Sequence, residues 1–181
     1  MFKNKGTLYL VQAAVIAALY AALTYAQNLL LPGSASMAVQ FRVSEVLTML
    51  ALFTPAAIPG LTVGCVLANI SSLSVLGPYD MIFGSLASLG AAAAIYLLRN
   101  VRVFSIPFLS VLMPALFNGV IVGWEIEFFF IEGPFNMLSF LTQGGFVALG
   151  ELGVCIVLGI PLIKAIEKTK LDKRLFAAHT A

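Results

Sequence analysis

The feature that most constrains this chain is the length of its uncharged apolar runs. The first run, residues 8–31, contains no Asp, Glu, Lys or Arg. Of all 181 residues, 61% are hydrophobic and 10% are charged, whereas soluble proteins carry about 25% charged residues. A soluble domain of this size needs more polar surface than the polar residues of this chain can provide. The sequence therefore predicts an integral membrane protein whose apolar side chains face lipid.

Glycine, proline and charged residues divide the chain into six predicted spans. They are approximately residues 8–31, 42–53, 57–76, 80–98, 106–130 and 138–164. The first run is too long for a signal peptide and is expected to be a retained helix. A helix needs about 20 residues to cross a bilayer, so the second span is short. Either this helix begins earlier, near Met37, or it is a half-length helix that packs against protein and not against lipid. The expected fold is all-α, with six transmembrane helices in one domain over residues 1–181.

The basic residues predict how these spans are oriented, because Lys and Arg concentrate on the cytoplasmic side. With six spans both termini share one side, and nine of the ten Lys and Arg residues fall there. Arg42 is the exception. Both termini are therefore expected in the cytoplasm. Asp80, Glu125, Glu127 and Glu132 are expected in or near the outer loops.

Several kinds of chemistry find no support in the sequence. The single histidine, His179, lies in the last three residues, so we expect no histidine-based nucleophile or metal site. Cys65 and Cys155 lie within apolar runs and are expected to be buried small hydrophobic residues. Neither a G-x-x-x-x-G-K-[ST] phosphate loop nor an H-E-x-x-H motif occurs in the sequence. We expect no enzyme activity, no catalytic residue, no cofactor and no metal.

Alanine recurs at helical spacing in the first span. One row is Ala14, Ala18, Ala22 and Ala26, and a second row beside it is Ala13, Ala17 and Ala21. Small residues let helix backbones approach closely in lipid. Two interpretations stay open, namely packing within the bundle and a docking surface for another subunit.

Polar residues inside the apolar spans indicate a candidate site, because a buried charge there costs about 2.5–3.5 kcal/mol. Glu151 lies in the middle of the sixth span and is either a neutral structural carboxyl or a group facing a polar cavity. Asn69 and Asn118 either bond neighbouring helices or bind a ligand. The same choice, between interfacial anchor and ligand contact, applies nearer the outer surface to Gln143, Tyr79 and Trp124.

Arg42 and Glu45 lie three residues apart, at the predicted outer end of the second span. They can pair on one helical face, and such a salt bridge makes charge at a hydrophobic helix end tolerable. Alternatively, Glu45 faces inward and accepts N–H groups of a ligand while Arg42 orients it.

Residues 40–70, QFRVSEVLTMLALFTPAAIPGLTVGCVLANI, resemble the queuosine-precursor transporter (QueT) family, and the resemblance continues through LGPYD, LFNG and GE over nearly the whole chain. Members are substrate-binding S components of energy-coupling factor (ECF) importers in bacterial plasma membranes. The resemblance implies six helices, cytoplasmic termini and an outer pocket that the loop after the first helix helps to close. It implies partners too: two cytoplasmic ATPases and a transmembrane coupling subunit. That subunit docks on an A-x-x-x-A motif, here Ala14, Ala18 and Ala22.

The resemblance further implies a 7-deazaguanine ligand, either queuine or a preceding base with a cyano or aminomethyl group. Its ring N–H and exocyclic amine match a carboxylate, its acceptors match amides or Arg, and its ring can stack on an aromatic side chain. An aminomethyl form is cationic and calls for a second carboxylate. On these grounds the predicted substrate-binding residues are Glu45, Arg42, Asn69, Asn118, Glu151, Tyr79, Trp124 and Gln143. A self-sufficient secondary carrier and a purely structural membrane subunit are the alternatives.

Overall fold

The computed structural model describes residues 5–32, 34, 41–73, 77–104 and 106–176. Regular secondary structure in these ranges is helical, which confirms the all-α prediction. The possible start of the second span near Met37, most of the loop expected to close the pocket, and His179 lie outside the described residues.

Four helical stretches are long and apolar enough to cross a membrane: Lys5–Leu30, Tyr79–Leu98, Phe108–Phe130 and Met137–Thr169. Two apolar helices are shorter, Val43–Leu52 and Ala57–Ser72. Each predicted span therefore overlaps a helical segment, and four of these segments have the length to cross. We label the α-helices α1 (Lys5–Leu30), α2 (Ala57–Asn69), α3 (Tyr79–Leu98), α4 (Phe108–Glu125), α5 (Met137–Val154), α6 (Ile160–Thr169) and α7 (Leu171–Leu175). A π-helical turn, Ile126–Phe130, extends α4, and a second, Cys155–Gly159, joins α5 to α6.

The short helix Val43–Leu52 is a 3₁₀-helix over ten residues, although 3₁₀ runs rarely exceed three or four residues. It contacts all of α1 to α6 and so occupies the middle of the bundle. Side chains three residues apart eclipse each other on a 3₁₀-helix, which places Arg42, Glu45, Thr48 and Ala51 in one row. All four are buried. Within the described residues, this segment is the half-length helix packed against protein.

Helices α1 and α2 approach closely at two glycines of α2. A Cβ atom added at Gly60 would lie 2.8 Å from the carbonyl oxygen of Ala13, and one at Gly64 would lie 3.0 Å from that of Ala17. Gly64 would also place it 2.8 Å from Cβ of Tyr20. Because a side chain at either position would clash with α1, glycine is what allows this backbone contact.

The two alanine rows of α1 consequently have different surroundings. Ala17 and Ala21 are buried against the bundle, so that row is used in internal packing. The other row, which contains Ala14, Ala18 and Ala22, is exposed along its length.

The apolar core surrounds the short helix and draws on α1, α2, α3, α4 and α6; it includes Tyr20, Met49, Leu61 and Ile95. Cys65 and Cys155 belong to this core as buried free thiols, which confirms the expectation for both. Helices α4 and α5 pack through glycines, since a Cβ atom at Gly123 would lie 2.6 Å from Cα of Gly144. This close packing fixes the positions of the polar residues that α4 and α5 carry.

Candidate functional site

Ionisable side chains collect around the short central helix. Five of them are at most 5% exposed: Arg42, Glu45, Asp80, Glu125 and Glu151. They come from the short helix and its N-terminal flank, from α3, from α4 and from α5. Burial of so many charged groups is costly unless each finds a partner. This buried polar cluster is therefore the candidate site.

Glu45 is held by side chains of α1 and α3. The hydroxyl of Tyr20 donates a hydrogen bond to Oε1 of Glu45, and Oγ of Ser88 donates to the same oxygen over 3.5 Å. Nearby, Oγ1 of Thr24 donates to Oγ of Ser44 over 2.7 Å and ties α1 to the short helix. Oε2 of Glu45 is buried and has no hydrogen-bond partner among the described residues. The carboxylate is thus fixed through one oxygen and available through the other.

Arg42 pairs with Asp80 and not with Glu45. Its Nη2 lies 3.5 Å from Oδ2 of Asp80, and its Nη1 lies 3.7 Å from Sγ of Cys65. Asn69 joins this group, because its Nδ2 donates to the backbone oxygen of Asp80 over 2.9 Å. An ion pair between Arg42 and Glu45 was one of the two expected arrangements, but the acid that pairs with Arg42 is Asp80. Asp80 lies in the first turn of α3, beside the predicted outer loop, and its side chain is buried.

A glycine makes room for this ion pair. A Cβ atom at Gly84 would lie 3.1 Å from Nδ2 of Asn69, 3.4 Å from Oδ1 of Asp80 and 3.7 Å from Nη1 of Arg42. The α3 backbone thus approaches the polar groups as closely as a residue without a side chain permits.

One guanidinium faces several carboxylates in the cluster. The charges of Glu45 and Arg42 both act on Glu151, and those of Asp80 and Arg42 both act on Glu125. Oε2 of Glu45, Glu125 and Glu151 is in each case buried without a hydrogen-bond partner among the described residues. Like charges repel strongly in a low-dielectric interior. These oxygens can therefore accept N–H donors, and Nε of Arg42, which is also buried without a hydrogen-bond partner among the described residues, can donate.

The predicted aromatic residues lie in a cluster of rings between the start of α3 and the end of α4. Tyr79 stacks on Phe129 with ring centroids 4.0 Å apart, and Trp124 stacks on Phe128 at 4.9 Å. Phe128 and Phe129 lie on the π-helical turn that extends α4, and such turns are frequent at functional sites. Both Tyr79 and Trp124 are partly exposed, so a ring face or edge of each is accessible.

The remaining two predicted amides stand apart from the hydrogen bonds described above. Asn118 is buried on α4, and its Nδ2 has no hydrogen-bond partner in the described part of the chain. Gln143 is half-buried on α5.

Sequence reasoning missed two members of the cluster, Asp80 and Glu125, and the two side chains that hydrogen-bond to Glu45. Tyr20 is hidden in the alanine-rich first span, and Ser88 sits in a span rich in small residues. Glu125 and Glu127, expected near the outer loops, are buried, and Oε1 of Glu127 accepts the backbone N–H of Asn136 over 2.9 Å. The acidic residues themselves could have indicated the site, because a charged residue within a hydrophobic span often lies at a functional site inside the helix bundle.

Residues 10–168 match the family model described as QueT transporter. The chain belongs to the QueT transporter family. A similar protein is the queuosine precursor transporter QueT of Lactococcus lactis subsp. cremoris (strain MG1363), which is 36% identical over 90 residues. That match spans 48% of this chain and 48% of the relative, about half of each. No solved structure matches the chain.

Membership of the QueT family agrees with the resemblance seen in residues 40–70. Together with the four long apolar helices, it makes the chain a multi-pass membrane protein of a transporter family.

Proposed function

We propose that the chain is the substrate-binding S component of an ECF-type importer in a bacterial plasma membrane. It captures a 7-deazaguanine queuosine precursor at the outer face and leaves the energy supply to partner ATPases. The observation that carries this proposal is the buried cluster, in which carboxylate oxygens of Glu45 and Glu151 have no partner among the described residues. Both termini lie in the cytoplasm, as the distribution of Lys and Arg predicts.

Glu45 binds the donor face of the base. The ring N–H and the exocyclic amine of a 7-deazaguanine point the same way and match the two oxygens of one carboxylate. Oε2 of Glu45 is free to accept, whereas Oε1 already accepts from Tyr20 and, over 3.5 Å, from Ser88. A contact through both oxygens therefore requires the base to replace Ser88 at Oε1. Because Tyr20 already holds the carboxylate in place, ligand binding loses little additional side-chain entropy.

The other predicted residues complete the site around this contact. Arg42 and Asn118 donate to the carbonyl oxygen and ring nitrogen of the base, and Tyr79 or Trp124 stacks on its ring. Asn69 holds the backbone of Asp80 in place. Gln143 contacts the base from α5.

The exposed alanine row of α1 is the docking surface for the transmembrane coupling subunit. Because the neighbouring row already packs on α2, internal packing does not explain Ala14, Ala18 and Ala22. A flat strip of small side chains lets another helix approach closely in lipid, where no hydrophobic drive brings helices together.

Binding and uptake measurements test the proposal in two steps. Titration calorimetry of the purified chain with guanine, the aminomethyl base, the cyano base and queuine should show saturable binding of at least one 7-deazaguanine. Glu45→Gln should weaken that binding by about 1.5–3 kcal/mol, because a charge-assisted hydrogen bond is lost. Glu132→Gln is the matched control, since Glu132 is exposed and carries the same charge. If no 7-deazaguanine binds, the proposal fails.

Uptake into vesicles distinguishes the S component from a secondary carrier. The chain alone should accumulate no ligand under an ion gradient, whereas the chain with its coupling subunit, both ATPases and ATP should do so. Ligand accumulation by the chain alone contradicts the ECF assignment and favours the carrier.

A further inference from the structure

Helix α1 carries two buried glutamines, Gln12 and Gln27, and each makes hydrogen bonds near one end of the short helix. Just beyond the C-terminal end of the short helix, Oγ1 of Thr54 donates to Oε1 of Gln12 over 3.1 Å. At the N-terminal end, Gln27 bonds to the chain on both sides of Arg42. Of the two glutamines, Gln27 is therefore the one that borders the guanidinium of the polar cluster.

The side-chain amide of Gln27 holds the two peptide groups that flank Arg42. Its Oε1 accepts the backbone N–H of Val43 over 2.7 Å, and its Nε2 donates to the carbonyl oxygen of Phe41. Nε2 also donates to Oγ of Ser34 over 2.9 Å. An amide suits this position, because a carboxylate has no donor for Phe41 and an ammonium has no acceptor for Val43. Between the two bonds, the backbone of Arg42 is extended, with φ −101° and ψ 97°.

The side chain of Arg42 makes few close contacts of its own among the described residues. Its Nη2 lies 3.5 Å from Oδ2 of Asp80, farther than the roughly 2.7–3.2 Å of an N–H to oxygen hydrogen bond. Its Nη1 lies 3.7 Å from Sγ of Cys65, and its Nε is buried without a hydrogen-bond partner in the described ranges. The backbone that Gln27 holds therefore sets much of the direction of the guanidinium, and Nε is left to donate to a ligand.

We propose that Gln27 is a positioning residue for ligand recognition, which holds Arg42 so that its Nε and one terminal nitrogen point at the carbonyl oxygen of the base. The proposal rests on the proposed function for the contact between Arg42 and that oxygen, and it adds the residue that makes this contact selective. A guanidinium held in one orientation recognises an oxygen acceptor through charge-assisted hydrogen bonds. These bonds weaken steeply when donor and acceptor are misaligned. Gln27 acts through Arg42 and does not touch the base.

The strength of the ligand's acceptor can be changed while its donor face is kept. A 6-thio analogue of a 7-deazaguanine retains the ring N–H and the exocyclic amine but carries sulfur, a weak acceptor, in place of the carbonyl oxygen. The aminomethyl base, the cyano base and queuine are each titrated into the purified chain beside their 6-thio analogues. We expect wild type to bind each parent base about tenfold more tightly than its analogue, which is roughly the effect of weakening one charge-assisted hydrogen bond.

Variants of Gln27 and Arg42 should change this ratio of affinities. In Gln27→Met the ratio should fall close to one, through loss of affinity for the parent base. Gln27→Glu is the milder variant, because it keeps an acceptor for Val43 but lacks the amide donors, and it should lower the ratio in the same direction. Arg42→Lys keeps the charge but has no Nε–H. In that background the ratio should already be low, and Gln27→Met should not lower it further.

The matched control is Gln12→Met, which removes the other buried amide of α1. Nε2 of Gln12 donates to the carbonyl oxygen of Leu175 over 2.6 Å, so this variant also leaves a backbone group without its partner. Both glutamine variants should lower the stability of the chain, because each strands buried polar groups. Gln12→Met should nevertheless keep the wild-type ratio. The ratio compares two ligands of one sample, so it does not depend on the fraction of the chain that is folded.

Three results overturn this inference, namely an unchanged ratio in Gln27→Met and Gln27→Glu, an equal fall of the ratio in Gln12→Met, and an undiminished effect of Gln27→Met in the Arg42→Lys background. Each of them leaves the proposed function intact, since a 7-deazaguanine still binds. Failure of every 7-deazaguanine to bind wild type overturns the proposed function instead.

Discussion

The ion pair between Arg42 and Asp80 gives the sharpest test of how the buried charges are arranged. Nη2 and Oδ2 are 3.5 Å apart, and each side chain is 6% exposed. At that separation an effective dielectric constant of about 20 gives roughly 5 kcal/mol of Coulomb attraction, much of which offsets the desolvation of both groups. Removing one partner of a buried pair costs about 3–5 kcal/mol, because the other charge is left uncompensated.

The two single variants should nevertheless differ. Arg42→Met removes the guanidinium whose charge also acts on Glu45, Glu125 and Glu151, so we expect a loss of about 4–5 kcal/mol in the free energy of unfolding. Asp80→Asn leaves Arg42 with those other carboxylates and retains a side-chain oxygen, so its loss should be about 1–3 kcal/mol. The double variant should lose about 2 kcal/mol less than the sum of the two, since the residues are in direct contact.

Unfolding in mixed detergent micelles, followed by circular dichroism and tryptophan emission, measures these free energies. Trp124 is the one tryptophan of the chain and stacks on Phe128 at 4.9 Å, so its emission reports on packing near the site. The control pair is Arg102 and Glu167, whose atoms Nη2 and Oε1 lie 2.6 Å apart with side chains 35% and 34% exposed. Breaking that exposed pair should cost at most about 1 kcal/mol.

The difference between the stability losses of the two single variants is the decisive result. Equal losses for Arg42→Met and Asp80→Asn would show that Arg42 interacts with no carboxylate beyond Asp80. Additive losses in the double variant, to within about 0.5 kcal/mol, would show that Arg42 and Asp80 do not stabilise each other. The first result would contradict the arrangement in which one guanidinium faces several carboxylates.

Two further predictions concern α1. Replacing Ala18 and Ala22 with Leu should abolish uptake by the assembled transporter and leave ligand binding intact, whereas Ala17→Leu should destabilise the chain itself because it pushes α1 off α2; normal uptake by the Ala18/Ala22 variant would contradict docking through the exposed row. Tyr20→Phe should lower the free energy of unfolding by about 1.5–3 kcal/mol, because the buried Glu45 loses a hydrogen-bond donor. Unchanged stability in the same micelle assay would show that Glu45 does not depend on this hydroxyl.

Much of the fold follows from local properties that the sequence displays. Hydrophobic runs between breakers locate the helices, and the short run after Arg42 predicts a helix too short to cross a bilayer. The mid-span position of Glu151 predicts a buried carboxyl. The spacing of the alanines predicts two rows, and the structure assigns internal packing to the row of Ala17 and Ala21.

What could not be predicted depends on contacts between segments far apart in the sequence. Arg42 pairs with Asp80 only because the first turn of α3 packs beside the short helix. Asp80 also interrupts the hydrophobic pattern, so the sequence places it at the start of a span but does not show that its side chain is buried. Tyr20 gives no sign of its partner, since the distance between α1 and the short helix is set by packing. The 3₁₀ geometry of Val43–Leu52 has no local signature either, because its composition suits an α-helix equally well.

The close contact of α1 with α2 also has a mechanical consequence. With Gly60 and Gly64 seated against the α1 backbone at Ala13 and Ala17, sliding α1 lengthwise would drive side chains into that backbone. A load applied along the exposed alanine row therefore cannot be absorbed by movement of α1 alone. The load passes instead to α2 through the contacts at these two glycines.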